Sequence, residues 1–302
     1  SILGKMMRMS WPLVALVLVL AGCGAAALCS VAGGSLEPWA ERHVVRSLGG
    51  VALVILLGLV PIEAVLALAF PLYATALAML AVVPLIGTEA MGARRWLGVG
   101  SVSFQPSELM KVALLLALAR YYLWLPPERR SEARWLVPAL AMVAVPFLLT
   151  LRQPDLGTAM LLAAVGGALV FLAGVRVVYF AGGAGLLAIG LPLAWSMLHD
   201  YQRRRIETFL DPDRDPLGAG YHITQAKIAL GAGGLQGKGF MLGTQSQLDF
   251  VPEKQTDFIF ASIAEEWGFV GGMGLIGLYG ALLLVMIAMA LSVRNQFGRL
   301  VI

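Results

Sequence analysis

Long apolar runs separated by short polar segments constrain this chain more than any other feature of its sequence. A helix rises about 1.5 Å per residue, so roughly 20 apolar residues cross the ~30 Å hydrocarbon core of a bilayer. With 59% hydrophobic and 13% charged residues, the chain is too apolar for a soluble domain. We therefore predict an all-α polytopic integral membrane protein. Eight transmembrane helices are predicted, at residues 11–34, 49–61, 66–87, 107–124, 135–151, 156–174, 177–198 and 268–293.

The basic residues of the short connections predict the orientation of these spans. The first apolar run extends beyond the length of a signal peptide without a clear cleavage site, so we expect it to remain as a membrane anchor. Cytoplasmic loops are enriched in Lys and Arg. If the spans alternate, the side predicted to be cytoplasmic carries Lys5, Arg8, Arg129, Arg130, Arg134, Arg176, Arg294 and Arg299. The net charge of +4 fits anionic membrane lipids, and the chain lacks the aromatic-interleaved basic stripe of a nucleic-acid binder.

One long extracytoplasmic loop, residues 199–256, stands apart from the short connections. Long loops in compact proteins tend to carry function. Its basic cluster at 203–205 includes Arg203, a candidate phosphate contact, although a solvated basic patch beside the membrane explains the cluster equally well. The glycine-rich stretch 231–239 predicts flexible backbone that could approach a bulky ligand closely. The three histidines are scattered without zinc-ligand spacing, so no dedicated metal site is predicted.

A carboxylate, Asp257, stands directly before the last apolar run. Burying a carboxylate beside lipid-facing helices is costly unless the group is paired, hydrated or used, so Asp257 is the candidate catalytic residue. The alternative is an ordinary helix N-cap formed by Thr256 or Asp257. Polar residues crowd the approach, among them Gln245, Glu253 and Lys254. A cap does not require such neighbours, and this favours the functional interpretation.

A second polar cluster precedes the fourth predicted span. It contains Arg94, Trp96 and Gln105, followed by Glu108 and Lys111 at a spacing of i,i+3. The last two side chains can pair on one helix face, as a structural salt bridge or as part of a site. Asp155 lies at a third polar junction, where an N-cap is the expected role.

Several segments spread over the whole chain carry specific motifs, namely Ser10-Trp11-Pro12-Leu13, Arg94-Arg95-Trp96-Leu97, Phe104-Gln105-Pro106-Ser107-Glu108, Gln153-Pro154-Asp155-Leu156-Gly157-Thr158, Gly243-Thr244-Gln245-Ser246-Gln247-Leu248, Pro252-Glu253, Thr256-Asp257-Phe258-Ile259-Phe260-Ala261 and Glu265-Glu266-Trp267-Gly268. Together they resemble the SEDS family of membrane proteins. The sequence of residues 243–248 is similar to that of the elongation-type branch of the family. One departure is Gln255, which stands where many members have His and so argues against an indispensable acid or base at that position.

The resemblance implies a fold of ten spans, so we expect residues 1–302 to form a single membrane domain that lacks the last two helices. It implies polymerisation of lipid II into peptidoglycan during cell elongation, with the active site on the extracytoplasmic face of the bacterial cytoplasmic membrane. Transfer from an α-linked donor to a β-linked product is a single inversion, which needs one base, and Asp257 is assigned that role. The other residues expected to bind substrate or organise the site are Glu108, Lys111, Arg94, Trp96, Gln105, Asp155, Arg203, Gln245, Glu253, Lys254 and Thr256.

The leaving pyrophosphate needs charge stabilisation, from Arg and Lys or from a divalent cation such as Mg or Mn. No other cofactor is expected. The resemblance implies a class B penicillin-binding protein and other elongation-complex proteins as partners, together with membrane lipids. Three alternatives remain: a transporter or flippase of a lipid-linked saccharide, a non-catalytic scaffold, and a member of the division-type branch. Acids clustered at one membrane face favour the enzyme over the transporter, whose polar groups usually lie near the midplane.

Overall fold

The structure, a computed structural model, describes residues 2–7, 9–90, 93–99, 102–198, 200–211, 218–248, 250–251 and 253–302. The chain forms two compact units. The first contains Ser1–Leu59 and Ile189–Ile287, and the second contains Val60–Ala188 and Ala288–Ile302.

The first unit is helical. Helix α2 packs against α3, and α10 packs against both α9 and α11. The segment predicted as the loop 199–256 is therefore partly helical. The elements of this unit are α1 (Ile2–Met7), α2 (Trp11–Val31), α3 (Ala40–Leu59), the end of α8 (Val177–Met197), α9 (Asp200–Leu210), α10 (Ala219–Ala232), α11 (Thr244–Gln247) and most of α12 (Ile259–Ser292).

The second unit is built around a buried helix, α5, which packs against α4, α6 and α7. Its fully buried residues Met110, Leu114 and Leu118 recur at a spacing of four, so they lie along one side of the helix. The elements of this unit are α4 (Ile62–Ile86), β1 (Thr88–Ala90), β2 (Ala93–Val99), β3 (Val102–Phe104), α5 (Pro106–Trp124), α6 (Ala133–Arg152), α7 (Leu156–Leu172), the first part of α8, and α13 (Gln296–Val301).

The segment between α4 and α5 is a small antiparallel sheet, so the all-α prediction was wrong there. Thr88 pairs with Trp96 and Leu97 pairs with Phe104, in the strand order β1-β2-β3. Tryptophan, phenylalanine and β-branched residues favour a pleated conformation, and no apolar helical repeat competes with it in this polar segment. Two predicted site residues, Arg94 and Trp96, consequently lie on a strand.

Five helices in the described ranges are long and apolar enough to cross a membrane, namely α2, α3, α4, α6 and α12. Two shorter apolar helices, Leu156–Leu172 and Val177–Leu193, accompany them. The chain is thus a mostly helical protein of the polytopic membrane class, and the count of eight spans stays a prediction. Helices α3 and α12 begin well before the predicted starts at 49 and 268, because charged residues interrupt the apolar pattern near the start of both, Glu41 and Arg42 in α3 and Glu265 and Glu266 in α12. The predicted start at 268 instead coincides with a break inside α12, at Gly268.

Prolines inside two of these helices deprive backbone carbonyls of their usual helical partners. Pro71 in α4 has no N–H for the Ala67 carbonyl, four residues earlier. The guanidinium of Arg120, on α5, donates to that carbonyl at 3.1 Å. A side chain from the neighbouring helix therefore replaces the missing backbone donor.

Pro146 in α6 repeats the arrangement with a different donor. Its missing N–H would have served the Met142 carbonyl, and the Tyr73 hydroxyl of α4 donates to that oxygen at 2.9 Å. This hydrogen bond joins α4 to α6 at the carbonyl that Pro146 leaves without a helical donor.

Candidate functional site

Asp257 lies in a closed turn immediately before α12. The backbone N–H groups of Thr256 and Phe258 both donate to the Glu253 carbonyl, at 3.0 and 3.3 Å. Glu253 adopts a left-handed backbone conformation with φ of 48°. Its carboxylate accepts hydrogen bonds from the Thr256 hydroxyl at 3.2 Å and the Gln255 amide at 3.1 Å. These contacts fix the turn and leave the Asp257 side chain exposed.

The capping alternative for this segment is not observed. In the described part of the chain, no donor lies within hydrogen-bond distance of the Asp257 carboxylate. The Thr256 hydroxyl is engaged within the turn, and the first N–H of α12, at Ile259, reaches the Thr256 carbonyl at 3.4 Å. An exposed carboxylate with no donor to neutralise it is suited to accept a proton from a bound hydroxyl.

Lys254 points inward from the same turn. Its ammonium donates to the Ser246 carbonyl at 2.5 Å, and only 8% of the residue is exposed. Ser246 belongs to the short helix α11. Of the two roles predicted for Lys254, substrate binding and site organisation, this geometry supports the second.

A fully buried carboxylate, Glu265 in α12, holds α11 in place. One oxygen accepts from the Lys238 ammonium at 2.7 Å, the Gln245 N–H at 2.9 Å and the Thr244 hydroxyl at 3.3 Å. The other accepts from the N–H and the hydroxyl of Ser246, both at 3.2 Å. The sequence analysis named Glu265 only as part of the family resemblance. The signal that could have identified it is two adjacent carboxylates inside a segment that leads into an apolar run.

The neighbouring carboxylate, Glu266, is also buried and has its own partners. Ser30 of α2 donates its hydroxyl to Glu266 at 2.5 Å. The backbone N–H groups of Met241 and Gly243 also hydrogen bond to this carboxylate. Glu265 therefore binds both ends of the segment 238–246, and Glu266 binds residues between them.

The glycine-rich segment 231–239 fills a break in α12. Gly268, with φ of 68°, interrupts the helix, and the N–H of Phe269 donates to the Gly234 carbonyl at 2.8 Å. At Gly237, an added Cβ would lie 2.1 Å from the Glu266 carbonyl oxygen, so no side chain fits. The sequence predicted a close approach of these glycines to a bulky ligand, whereas in the structure they approach α12 of the same chain.

Asp155 organises the predicted site residues of the second unit. Its carboxylate accepts from the Thr158 N–H at 3.2 Å, which confirms the predicted N-cap of α7. The same carboxylate accepts from the Gln105 amide at 3.4 Å and lies 3.9 Å from the Arg95 guanidinium. Arg95 is a member of this cluster that the sequence analysis did not select.

The neighbouring residue Gln153 joins this cluster to α4. Arg95 donates to the carbonyls of Gln153 and Pro154, at 3.2 and 2.6 Å. The Gln153 amide donates at 2.9 Å to the Leu80 carbonyl, which Pro84 leaves without a helical partner. Residues 153–155 therefore link the end of α6 and the start of α7 to β2 and α4.

Glu108 and Lys111 form the predicted pair in the first turn of α5, with 2.8 Å between Nζ and Oε1. The side chains are 55% and 26% exposed, respectively, so the pair is less buried than expected. Arg94 is exposed on β2, and Trp96 is half-buried beside it.

The Arg203 side chain caps the C-terminal end of α8. Its guanidinium donates to the carbonyls of Trp195 and Ser196, at 3.0 and 2.6 Å. Carbonyls in the last turn of a helix lack helical donors, and an Arg side chain can supply them. These contacts engage the guanidinium that was a candidate for phosphate binding.

The predicted site residues thus form two sets, each described within its own unit. The first unit holds Asp257, Gln245, Glu253, Lys254, Thr256 and Arg203, and the second holds Arg94, Trp96, Gln105, Glu108, Lys111 and Asp155. Across the described ranges, no group of three or more His, Cys, Asp or Glu side chains is placed to hold a metal ion.

Fold and site together define a polytopic membrane protein that carries an exposed carboxylate on a fixed turn at the start of a broken apolar helix. Residues 5–302 match the family described as Cell cycle protein, FTSW_RODA_SPOVE. The chain therefore belongs to this family, the SEDS proteins.

Two relatives match most of this chain in sequence. Peptidoglycan glycosyltransferase MrdB of Escherichia coli (strain K12) is 42% identical over 264 residues, which are 86% of this chain and 70% of the relative. Stage V sporulation protein E of Bacillus subtilis (strain 168) is 39% identical over 226 residues, 74% of this chain and 61% of the relative.

Two solved structures share the fold. A chain from "Structural coordination of polymerization and crosslinking by a peptidoglycan synthase complex" has a TM-score of 0.81 and 34% identity, covering 97% of this chain and 82% of that one. The rod shape determining protein RodA of Thermus thermophilus has a TM-score of 0.68 and 32% identity, covering 97% and 79%.

Proposed function

We propose that this chain is a peptidoglycan glycosyltransferase that polymerises lipid II into glycan strands during cell elongation. Relatives that match most of the chain are named for this activity. The observation that carries the assignment to a site is the exposed Asp257 carboxylate, which the closed turn 253–258 presents without an internal hydrogen-bond donor in the described ranges.

In the proposed reaction, Asp257 is the general base. The acceptor sugar's 4-hydroxyl gives its proton to the Asp257 carboxylate as its oxygen attacks the anomeric carbon of the lipid-linked donor. The bond from that carbon to the pyrophosphate oxygen breaks, and the configuration inverts once. A single inversion requires no second carboxylate as nucleophile.

The departing pyrophosphate gains negative charge, which cations stabilise. We propose Arg or Lys side chains as one source of this positive charge. Lys254 and Arg203 are poor candidates, because Lys254 is buried against Ser246 and Arg203 donates to α8. A divalent cation is a second proposed source of positive charge, and rate measurements with a chelator and then with added Mg or Mn test it.

We place the protein in the bacterial cytoplasmic membrane, with Asp257 on the extracytoplasmic face. The partner that we propose is a class B penicillin-binding protein, because a similar chain was solved in a peptidoglycan synthase complex that coordinates polymerisation and crosslinking. Assignment to the elongation branch is supported by the match to MrdB over 86% of the chain. The division-type branch is the alternative, since an FtsW of Shewanella sediminis is 42% identical over 64% of the chain.

A flippase for a lipid-linked saccharide is a second candidate, favoured by the break at Gly268, because broken helices form the binding sites of many transporters. Here the freed backbone groups beside the break are paired with the glycine-rich segment, as at Phe269 and Gly234. They are therefore not left open for a substrate, and this favours the enzyme.

The deciding experiment incubates the purified protein with lipid II and separates the products by length. Glycan chains from the native protein, and none from Asp257→Asn, are expected. Movement of lipid II from one leaflet of a proteoliposome membrane to the other, without formation of glycan chains, would support the flippase instead.

A further inference from the structure

We propose that Glu265 is a positioning residue for the reaction at Asp257. It acts through Ser246 and Lys254, which link the buried carboxylate to the turn that presents the base. This inference rests on the proposed function, because it assigns Glu265 a task in the same glycosyl transfer.

The first link is the attachment of α11 to Glu265. This helix has only four residues, too few to be stable by itself. Its N-terminal N–H groups at Gln245 and Ser246 both donate to the Glu265 carboxylate, and the Thr244 and Ser246 hydroxyls add two further donors. Lys238 neutralises the charge at 2.7 Å. Hydrogen bonds to an ionised group are stronger than neutral ones, so the carboxylate determines where α11 lies.

The second link is the backbone of Ser246, which contacts a charged side chain on each side. Its N–H donates to Glu265 and its carbonyl accepts the Lys254 ammonium. The two charged side chains therefore act on one residue, and displacement of Ser246 moves the point at which Lys254 is held.

The third link is the turn itself. Lys254 lies within the turn 253–258, which is closed by two hydrogen bonds to the Glu253 carbonyl. Asp257 is three residues further along the same turn. Since its carboxylate accepts no hydrogen bond in the described ranges, its position depends on the turn and on the anchor at Lys254. Misplacement of a reacting group by about 1 Å can cost roughly 100-fold in rate.

The test begins with Glu265→Gln, which keeps the shape of the side chain and removes its charge. We expect the rate of glycan synthesis at saturating lipid II to fall by roughly 10- to 100-fold, with KM for lipid II unchanged, because the base is displaced while the substrate contacts remain. The acid limb of the pH–rate profile should persist with a lower plateau. Loss of that limb would make Glu265 itself the base and overturn the positioning role.

A double-mutant cycle tests the route through Ser246. Glu265 and Lys254 are connected through the backbone of that residue, so Glu265→Gln combined with Lys254→Met should cost little more than either variant alone. Additive losses in rate would contradict the relay. Ser246→Ala is the milder variant if Glu265→Gln does not fold, because it keeps both backbone contacts and loses only the hydroxyl. A smaller loss, at unchanged KM, is expected from it.

Ser30→Ala is the matched control. It removes a buried hydrogen bond to the adjacent carboxylate, Glu266, and within the described ranges no hydrogen bond joins the Ser30 side chain to α11. It should lower the melting temperature and leave the rate per folded molecule unchanged. If the native protein polymerises lipid II and Asp257→Asn does not, but Glu265→Gln matches the native rate, the positioning inference alone fails. If the native protein makes no glycan, the proposed function fails.

Discussion

The Tyr73 hydroxyl of α4 donates a 2.9 Å hydrogen bond to the Met142 carbonyl of α6, the oxygen that Pro146 leaves without a backbone donor. Tyr73→Phe should therefore leave this carbonyl without a hydrogen-bond donor. The free energy of unfolding should fall by about 1 kcal/mol, the usual contribution of one such hydrogen bond. Thermal or denaturant unfolding in detergent measures the change.

The proline supplies the control for that experiment. In a Pro146→Ala background the backbone N–H of residue 146 can serve Met142, so Tyr73→Phe should cost markedly less there. An equal cost in both backgrounds would show that the hydroxyl stabilises the helices in some other way.

Asp257→Asn separates catalysis from folding. Removal of a general base typically lowers a rate by 10²–10⁴-fold. The melting temperature should stay unchanged, since the carboxylate takes part in no hydrogen bond within the described ranges. Glycan synthesis from lipid II and a thermal melt on the same preparation provide both values. A near-native rate would remove Asp257 from the mechanism.

Glu108 and Lys111 are expected to be coupled only weakly in stability. Exposed pairs at this spacing contribute about 0.3–0.5 kcal/mol, and Glu108 is more than half exposed. If Lys111 binds substrate or organises the site, as the sequence predicts, Lys111→Met should instead lower the rate by at least roughly 10-fold. Glu108→Gln, which leaves the cation in place, is the control. A Lys111→Met protein with native rate would leave the pair a purely structural one.

Local patterns in the sequence were sufficient for part of the site. The i,i+3 spacing of Glu108 and Lys111 predicted their ion pair, and Asp155 at the junction before an apolar run predicted the N-cap of α7. Both interactions join residues within one helical turn. Apolar length predicted most helices in the same way, because a run of sufficient length needs no distant partner.

Interactions between distant residues could not be derived from local patterns. Glu265 is paired with Lys238, 27 residues away, and Ser30 lies 236 residues from Glu266. The break at Gly268 lies within the long apolar segment of α12. Nothing in the local sequence distinguishes this glycine from the other glycines of the helix. The backbone groups at this break are paired with the segment 233–239, and the position of that segment is set by tertiary contacts that the local sequence does not reveal.

Gly237→Ala tests whether that placement matters for the reaction. The glycine has φ of +79°, and an added Cβ would lie 2.1 Å from the Glu266 carbonyl oxygen, an atom of rigid backbone. The substitution should displace the segment from the break in α12, lower the melting temperature and reduce glycan synthesis, because Lys238 and α11 follow directly. Gly231→Ala is the matched control from the same glycine-rich stretch. It lies in α10 with no atom within 4 Å of an added Cβ, so it should be neutral or stabilise the helix by up to about 1 kcal/mol. Equal melting temperatures for the two variants would show that the close approach at Gly237 does not hold the segment in place.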